Sequence, residues 1–238
     1  MSHATALTVM PGRYDHRLVA LSFVIAMCAS YAALDLAART AATQGRARYA
    51  WLCGGATAMG IGIWSMHYIG MLAFNLPVPI LYDLPTVIVS LLAAVFSSGL
   101  ALYLIGRKKL TALSSGLGSV VMGGGIALMH YTGMAAMRMQ AVCHYNPWIV
   151  ALSVLIAVVA SFAALWLAFY FRQEKRGSGW LKVASAVVMG IAIAVMHYTG
   201  MAAATFTASP MRESTRFAVD ITSLGALGVA IVTFMVLG

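Results

Sequence analysis

Three copies of a thirteen-residue pattern carry the residues with ligand chemistry. Eight positions are identical in all three copies. They are Met59, Gly60, Ile63, Met66, His67, Tyr68, Gly70 and Met71 in the first copy. The second has Met122, Gly123, Ile126, Met129, His130, Tyr131, Gly133 and Met134, and the third Met189, Gly190, Ile193, Met196, His197, Tyr198, Gly200 and Met201. Neutral imidazole is the commonest metal ligand among side chains. Thioether sulfur is soft, and beside imidazole it selects copper, above all Cu(I), over Mg, Ca or Mn. Each histidine has a methionine immediately before it and another four residues after it. His67, His130 and His197, with Met66, Met71, Met129, Met134, Met196 and Met201, are therefore the expected metal ligands. Tyr68, Tyr131 and Tyr198 have two readings: donors that orient a ligand from behind, or members of an aromatic belt at the membrane surface. A lone membrane histidine beside methionine is more often a hydrogen-bonded packing residue. Three copies at one depth favour a ligand.

The elements that place these residues are membrane helices. Of the 238 residues, 62% are hydrophobic and 9% charged, and mean hydropathy is +0.89. Seven apolar segments follow one another, at about 18–38, 50–74, 86–105, 113–137, 148–171, 183–206 and 219–238, each long enough to cross a hydrocarbon layer of about 30 Å. All six prolines fall outside them. A formal charge of +9 in such a chain reflects basic cytoplasmic loops, not nucleic-acid binding. Ten basic residues lie on one side: Arg39, Arg46, Arg48, Arg107, Lys108, Lys109, Arg172, Lys175, Arg176 and Lys182. Five lie on the other: Arg13, Arg17, Arg138, Arg212 and Arg216. The ten-residue side is expected to be cytoplasmic, which puts the N-terminus outside and helix 7 pointing inward. The polar stretch 1–16 lacks a signal-peptide core. Cys28 and Cys53 read as small buried hydrophobes, and Cys143 as a loop residue.

The repeat is longer than the motif. Helices 1, 3 and 5 share Ser-x-x-Ala-Leu-x-Leu, starting at Ser30, Ser98 and Ser161. The unit is a helical hairpin used three times, at about 17–80, 84–146 and 147–212. A hairpin cannot cover its own packing face, so the expected fold is an all-α membrane protein of seven transmembrane helices. Three hairpins form a pseudo-threefold bundle, and residues 213–238 add helix 7, leading to a cytoplasmic domain beyond this chain. At 100° per residue, seven of the eight invariant positions share an arc of about 140°, and tyrosine alone stands opposite. The arc should face protein. The glycines read as contact surface, the deep Met59, Met122 and Met189 as filler, and the three imidazoles as converging near the outer face.

The threefold Met-His-Tyr motif, with Ser30 to Ala37 in the first helix, resembles the MHYT family of bacterial integral-membrane sensor domains. The resemblance implies the inner membrane of a bacterium and a copper site built from the motif His and Met residues. It also implies sensing of O2, CO or NO, and cytoplasmic output domains that make or degrade cyclic di-GMP, for which a homodimer is expected. The chain departs from the motif at Ile69, where the pattern has Thr. Haem held by two motif histidines, and a copper transporter or chaperone, are the alternatives. No nucleophile, paired carboxylate or phosphate-binding loop appears, so no catalysis is expected within this chain. Asp35, four residues before Arg39, reads as half of an ion pair at the helix end. Trp64 and Trp148 read as outer interfacial anchors, and Trp51 and Trp180 as inner ones.

Overall fold

The computed structural model describes residues 9–107, 111–171, 179–209 and 217–237. Seven helices carry it: α1 (His16–Ala42), α2 (Gly45–Ala73), α3 (Leu84–Ile105), α4 (Ala112–Ala135), α5 (Pro147–Phe171), α6 (Gly179–Ala202) and α7 (Ile221–Leu237). They match the seven apolar segments. Helices α1, α3, α4, α5 and α6 are long and apolar enough to cross a membrane. Helix α2 has the length, but its glycines, His67 and two basic residues in its first turns dilute it. Part of the basic side expected to face the cytoplasm (Lys108, Lys109, Arg172, Lys175, Arg176), the first eight residues, Arg212 and Arg216 lie outside the described residues.

Seven short strands gather at the histidine end, where hydropathy alone had extended helices 4 and 6. Met137 and Phe206 are not helical: they lie on β4 (Met137–Arg138) and β6 (Ala204–Ala208). Each hairpin is tied to itself by them. Strand β1 (Arg13–Tyr14), before α1, pairs antiparallel with β2 (Phe74–Asn75), after α2. Likewise β3 (Leu81–Asp83) pairs with β4, and β5 (Ala141–Tyr145) with β6. Strand β7 (Ala218–Asp220), before α7, joins β3 on its other edge. Cys143 thus sits on a strand, and His144 Nε2 lies 3.0 Å from Thr207 Oγ1 across the β5–β6 pair.

The odd-numbered helices all start on the same device. An Asp or Asn side chain accepts from a backbone N–H of the first turn: Asp15 from Arg17, Asp83 from Thr86, Asn146 from Trp148 and Asp220 from Thr222, at 2.7–3.1 Å. Such a cap satisfies donors that the helix itself cannot. In the three hairpins the backbone N–H of the capping residue also bonds the end of the partner helix. Asp15 donates to Ala73, Asp83 to Ala136 and Asn146 to Ala203, at 2.8–2.9 Å. Residue by residue, the hairpin begins where it ends.

The helices α1 to α6 pack in cyclic order, each on its chain neighbours, with α6 closing on α1; α7 lies against α2. Small residues set the separations. A Cβ on Gly60 would stand 2.6 Å from the Val95 backbone of α3, one on Gly123 2.6 Å from Val158 of α5, and one on Gly190 2.6 Å from Met27 of α1. Two readings of surface and core need correction. Trp64 is 4% exposed and donates to Ser90 at 3.2 Å, so it is core, not an interfacial anchor. Cys53 is exposed, because the face of α2 that carries it turns away from the bundle. At the other end Asp35 pairs with Arg39 at 2.6 Å as expected, and also with Lys182 of α6 at 2.9 Å.

Because the backbone of α5 abuts Gly123, Gly123→Ala should force α4 and α5 apart and destabilise the protein by about 1–3 kcal/mol. Gly124, with open space where its Cβ would be, provides the control: Gly124→Ala should leave thermal unfolding in detergent unchanged or raise its midpoint.

Candidate metal centre

The three motif helices bring His67, His130 and His197 together, each fully buried. Nδ1 of His67 lies 3.2 Å from Nδ1 of His197 and 3.2 Å from Nδ1 of His130. Ring centroids are 5.0, 5.2 and 5.1 Å apart, and every pair meets edge to face at 81–89°. The rings form a three-bladed propeller with their Nδ1 atoms at the hub.

The outer edge of each ring rests on a glycine of the next motif helix. His67 lies against Gly133, His130 against Gly200 and His197 against Gly70, each through Nε2, and a Cβ at any of these glycines would overlap the ring. These glycines are thus not merely helix contact surface like Gly60. They are cradles for the imidazoles.

The protons do not fit this arrangement unaided. A neutral imidazole has one N–H and one lone pair. One Nδ1–H at the hub can be accepted by its neighbours, but two would face each other. At least two rings therefore keep the proton on Nε2, and none of the three Nε2 atoms has a hydrogen-bond partner. A cation at the hub would use all three Nδ1 lone pairs at once, with the protons of all three rings on Nε2. The dimensions suit it: two of the Nδ1–Nδ1 separations are 3.2 Å and one ligand nitrogen from each ring lies within 4.8 Å of the others, spacings of the size that metal–imidazole bonds of about 2.0–2.1 Å to one ion require. Among the described residues this is the one group of three His, Cys or acidic side chains able to hold an ion.

The methionines form layers around the triad, and all six are at most 3% exposed. Met71, Met134 and Met201 belong to the cluster between the histidines and the strands, with Tyr82, Phe74 and Phe206; Met129 joins it too. Met66 packs with Ile25 and Ala26 of α1. Met196 faces the opposite way, towards the basic end, with Met59, Met122 and Met189. Ile69 shares the Met66 cluster. On the wheel it stands about 160° from His67, so its departure from Thr does not touch the triad.

Each tyrosine packs edge-on against its own histidine, at 4.8–4.9 Å between centroids. The hydroxyls reach serines on neighbouring helices instead of imidazoles. Tyr198 meets Ser22 at 2.8 Å and Tyr131 meets Ser153 at 2.6 Å. Ser22, Ser90 and Ser153 each donate to the carbonyl three residues back, which leaves the serine oxygen to accept from tyrosine. In the first copy Trp64 takes that place on Ser90, and the buried Tyr68 hydroxyl has no partner of hydrogen-bonding geometry.

A family profile described as "MHYT: Bacterial signalling protein N terminal repeat" matches residues 3–50, 60–118, 123–178 and 190–238. The chain belongs to this family. An MHYT repeat so framed starts in a motif helix and runs through the odd helix after it. The chain then contains α2–α3, α4–α5 and α6–α7 as units, with α1 matched by itself. The Asx caps on α1, α3, α5 and α7 follow the same fourfold register.

The MHYT chain is 53% identical over 81% of its length to the bifunctional diguanylate cyclase/cyclic di-GMP phosphodiesterase MucR of Pseudomonas aeruginosa. It is 44% identical over 80% to the cyclic di-GMP phosphodiesterase NbdA of the same organism, and 40% identical over 81% to the signaling protein YkoW of Bacillus subtilis. It spans about a quarter of their length: 28%, 24% and 24%. No solved structure matches it. This is a membrane-embedded signalling module, and the names of two of these relatives, MucR and NbdA, state that they act on cyclic di-GMP.

Sequence reasoning located the histidines but not the serines that seat the MHYT tyrosines. The signal was present. Ser22, Ser90 and Ser153 each stand seven residues after an Asx cap and eight before Ser30, Ser98 and Ser161. The serine contacts can be tested in the three tyrosines. Tyr131→Phe and Tyr198→Phe should each lower stability by about 0.5–1.5 kcal/mol. Tyr68→Phe, which removes an unpartnered hydroxyl, should cost nothing measurable in the same thermal unfolding assay.

Proposed function

We propose that this chain is a sensory domain that binds copper at the triad and reports the centre's state to a cytoplasmic output domain acting on cyclic di-GMP. His67, His130 and His197 would hold the ion through Nδ1. Motif thioethers from the adjoining layers, Met71, Met129, Met134 and Met201 on the strand side, Met66 against α1 and Met196 on the basic side, make the surroundings soft. Three imidazoles alone suit zinc, iron and nickel as well, and the methionines are the reason for choosing copper. Bound copper would supply a redox-active centre with affinity for O2, CO or NO. The carrying observation is the convergence of three buried, otherwise unpartnered nitrogens at a spacing that suits one ion.

The remaining features of this reading concern placement. Six spans in a pseudo-threefold bundle, with α7 as a seventh, in the inner membrane, would put the triad near the outer face and the basic loops in the cytoplasm. The identical frame of the three hairpins supports the symmetry, and the charge imbalance supports the orientation. Haem is disfavoured, since the nitrogens stand at hydrogen-bonding distance with no room for a macrocycle between them. The relatives' names are the support for cyclic di-GMP as the output.

The test is metal analysis and a visible spectrum of the detergent-purified protein. About one copper per chain is expected. Replacing any motif histidine by alanine should weaken copper binding by at least about tenfold, and Gly133→Ala, which leaves all ligands in place but displaces the His67 ring, should also weaken it. Zinc in place of copper would keep the centre and remove the redox role. A Soret band would replace copper with haem. Copper affinity unchanged in all three histidine variants would sink the triad as its site, and copper flux into sealed vesicles would make the ion cargo.

A further inference from the structure

The helices that surround the triad also border a partly open chamber on its basic side. Its volume is about 60 Å³, and all six of α1 to α6 contribute to its nineteen lining residues. Met196, the residue before His197, is part of its wall, and Ile105 and Ala168 lie at the far end. Between them stand Met59, Met122 and Met189, each eight residues before its motif histidine, about 12 Å along the helix. The space exists because α5 presents Ala157, Ala160, Ala164 and Ala168 to it at helical spacing, where larger side chains would close the gap.

The walls decide the contents. Only Ser30 and Ser161 are polar, and each has a buried hydroxyl without a partner. A water needs about 10–15 Å³ and two to four polar partners. The chamber has room for about four waters by that measure but only two hydroxyls to bond them. Water filling it would lose most of its hydrogen bonds, whereas a small apolar molecule would lose nothing and leave water or lipid for an apolar site.

We propose that this chamber is a binding site for an apolar diatomic gas, which reaches the triad through it from the membrane interior. Occupancy of the chamber does not require a metal. Delivery rests on the reading of the triad as a gas-binding copper centre.

Xenon is the probe for occupancy, followed by 129Xe NMR on the whole chain in detergent without added metal. Wild-type protein should give a saturable bound signal. Ala160→Leu and Ala164→Leu, which fill the chamber, should each abolish it, and Met59→Ala, which enlarges the chamber, should retain it. Absence of the signal in wild type, or its persistence in both filled variants, overturns the proposal. Delivery is read from CO association after flash photolysis of copper-loaded protein: Ala164→Leu should slow it, and an unchanged rate overturns that half. If the protein takes up no metal, the copper reading fails while the xenon result still decides the chamber.

Discussion

Three imidazoles can share one buried hub only if each has a place to lay its outer edge, and here that place is a glycine on the next helix. His67 needs Gly133, His130 needs Gly200 and His197 needs Gly70, so the dependence runs from α2 to α4 to α6 and back. No ring can be seated without the other two helices at the correct rotation and height. The interval of three residues follows from helix geometry. Three steps of 100° turn the direction by 300°, which is 60° the other way, and 60° is the angle at one corner of a triangle between the directions to the other two. One helix can therefore send its histidine across the hub towards one neighbouring motif helix and offer its glycine to the ring arriving from the other. The near-equal centroid separations of 5.0–5.2 Å are the outcome.

Much of this was legible beforehand, for definite reasons. Apolar helices announce themselves through long apolar runs, and the sequence pattern placed all seven helices to within about five residues, five of them long and apolar enough to cross a membrane. The shared arc of the motif identified the side of α2, α4 and α6 that meets protein, and with it the convergence of His67, His130 and His197. What escaped were features whose signal is local and polar. A two-residue strand such as β2 or β4 leaves no trace in hydropathy. The Asx caps at Asp15, Asp83 and Asn146 show their role in closing the hairpins only through their backbone partners at Ala73, Ala136 and Ala203. Gly70 and Gly60 look alike in sequence because both lack a side chain, yet one receives an imidazole and the other a backbone. Trp64 misled because an indole near a helix end commonly marks the membrane surface, while here Ser90 offers its nitrogen a buried acceptor.

The repeats are not equivalent, and the differences fall where the chain must begin or end its circuit. Helix α7 keeps the cap of an odd helix at Asp220 and keeps a strand, β7. It lacks the serine that would stand seven residues on, since Leu227 is there. The position against α6 that an odd helix of its register would take is already filled by α1. Helix α7 packs against α2 instead, and β7 is the third strand beside β3. It is thus joined to the motif helix that carries His67 at its side and to the second hairpin at its start.

That circuit leaves one seam without a chain connection. Helices α2 and α3, and α4 and α5, are joined through the strands at the histidine end, whereas α6 meets α1 across nearly the whole sequence. Two polar side-chain contacts, far apart along the helices, hold the seam, and beyond the histidine end the Met10 N–H donates to the Phe206 carbonyl at 2.8 Å beside a Val9–Thr207 bridge. Near the histidines the Tyr198 hydroxyl meets Ser22, and its ring stacks on Phe23 at 5.9 Å. Near the basic end Lys182, its side chain 6% exposed, reaches Asp35 at 2.9 Å and lies over the Tyr31 ring at 5.0 Å. A buried ammonium is costly without its partner, so this contact enforces proximity more than it adds net stability. The tyrosine at the first contact is the residue next to His197. A rotation of α6 that moves this histidine must therefore carry Tyr198 against Ser22. If α6 turns as a rigid body, it must also carry Lys182 against Asp35 at the opposite end. The interface that no continuous chain crosses is thus the one where hub geometry and basic-end geometry are mechanically linked through α6.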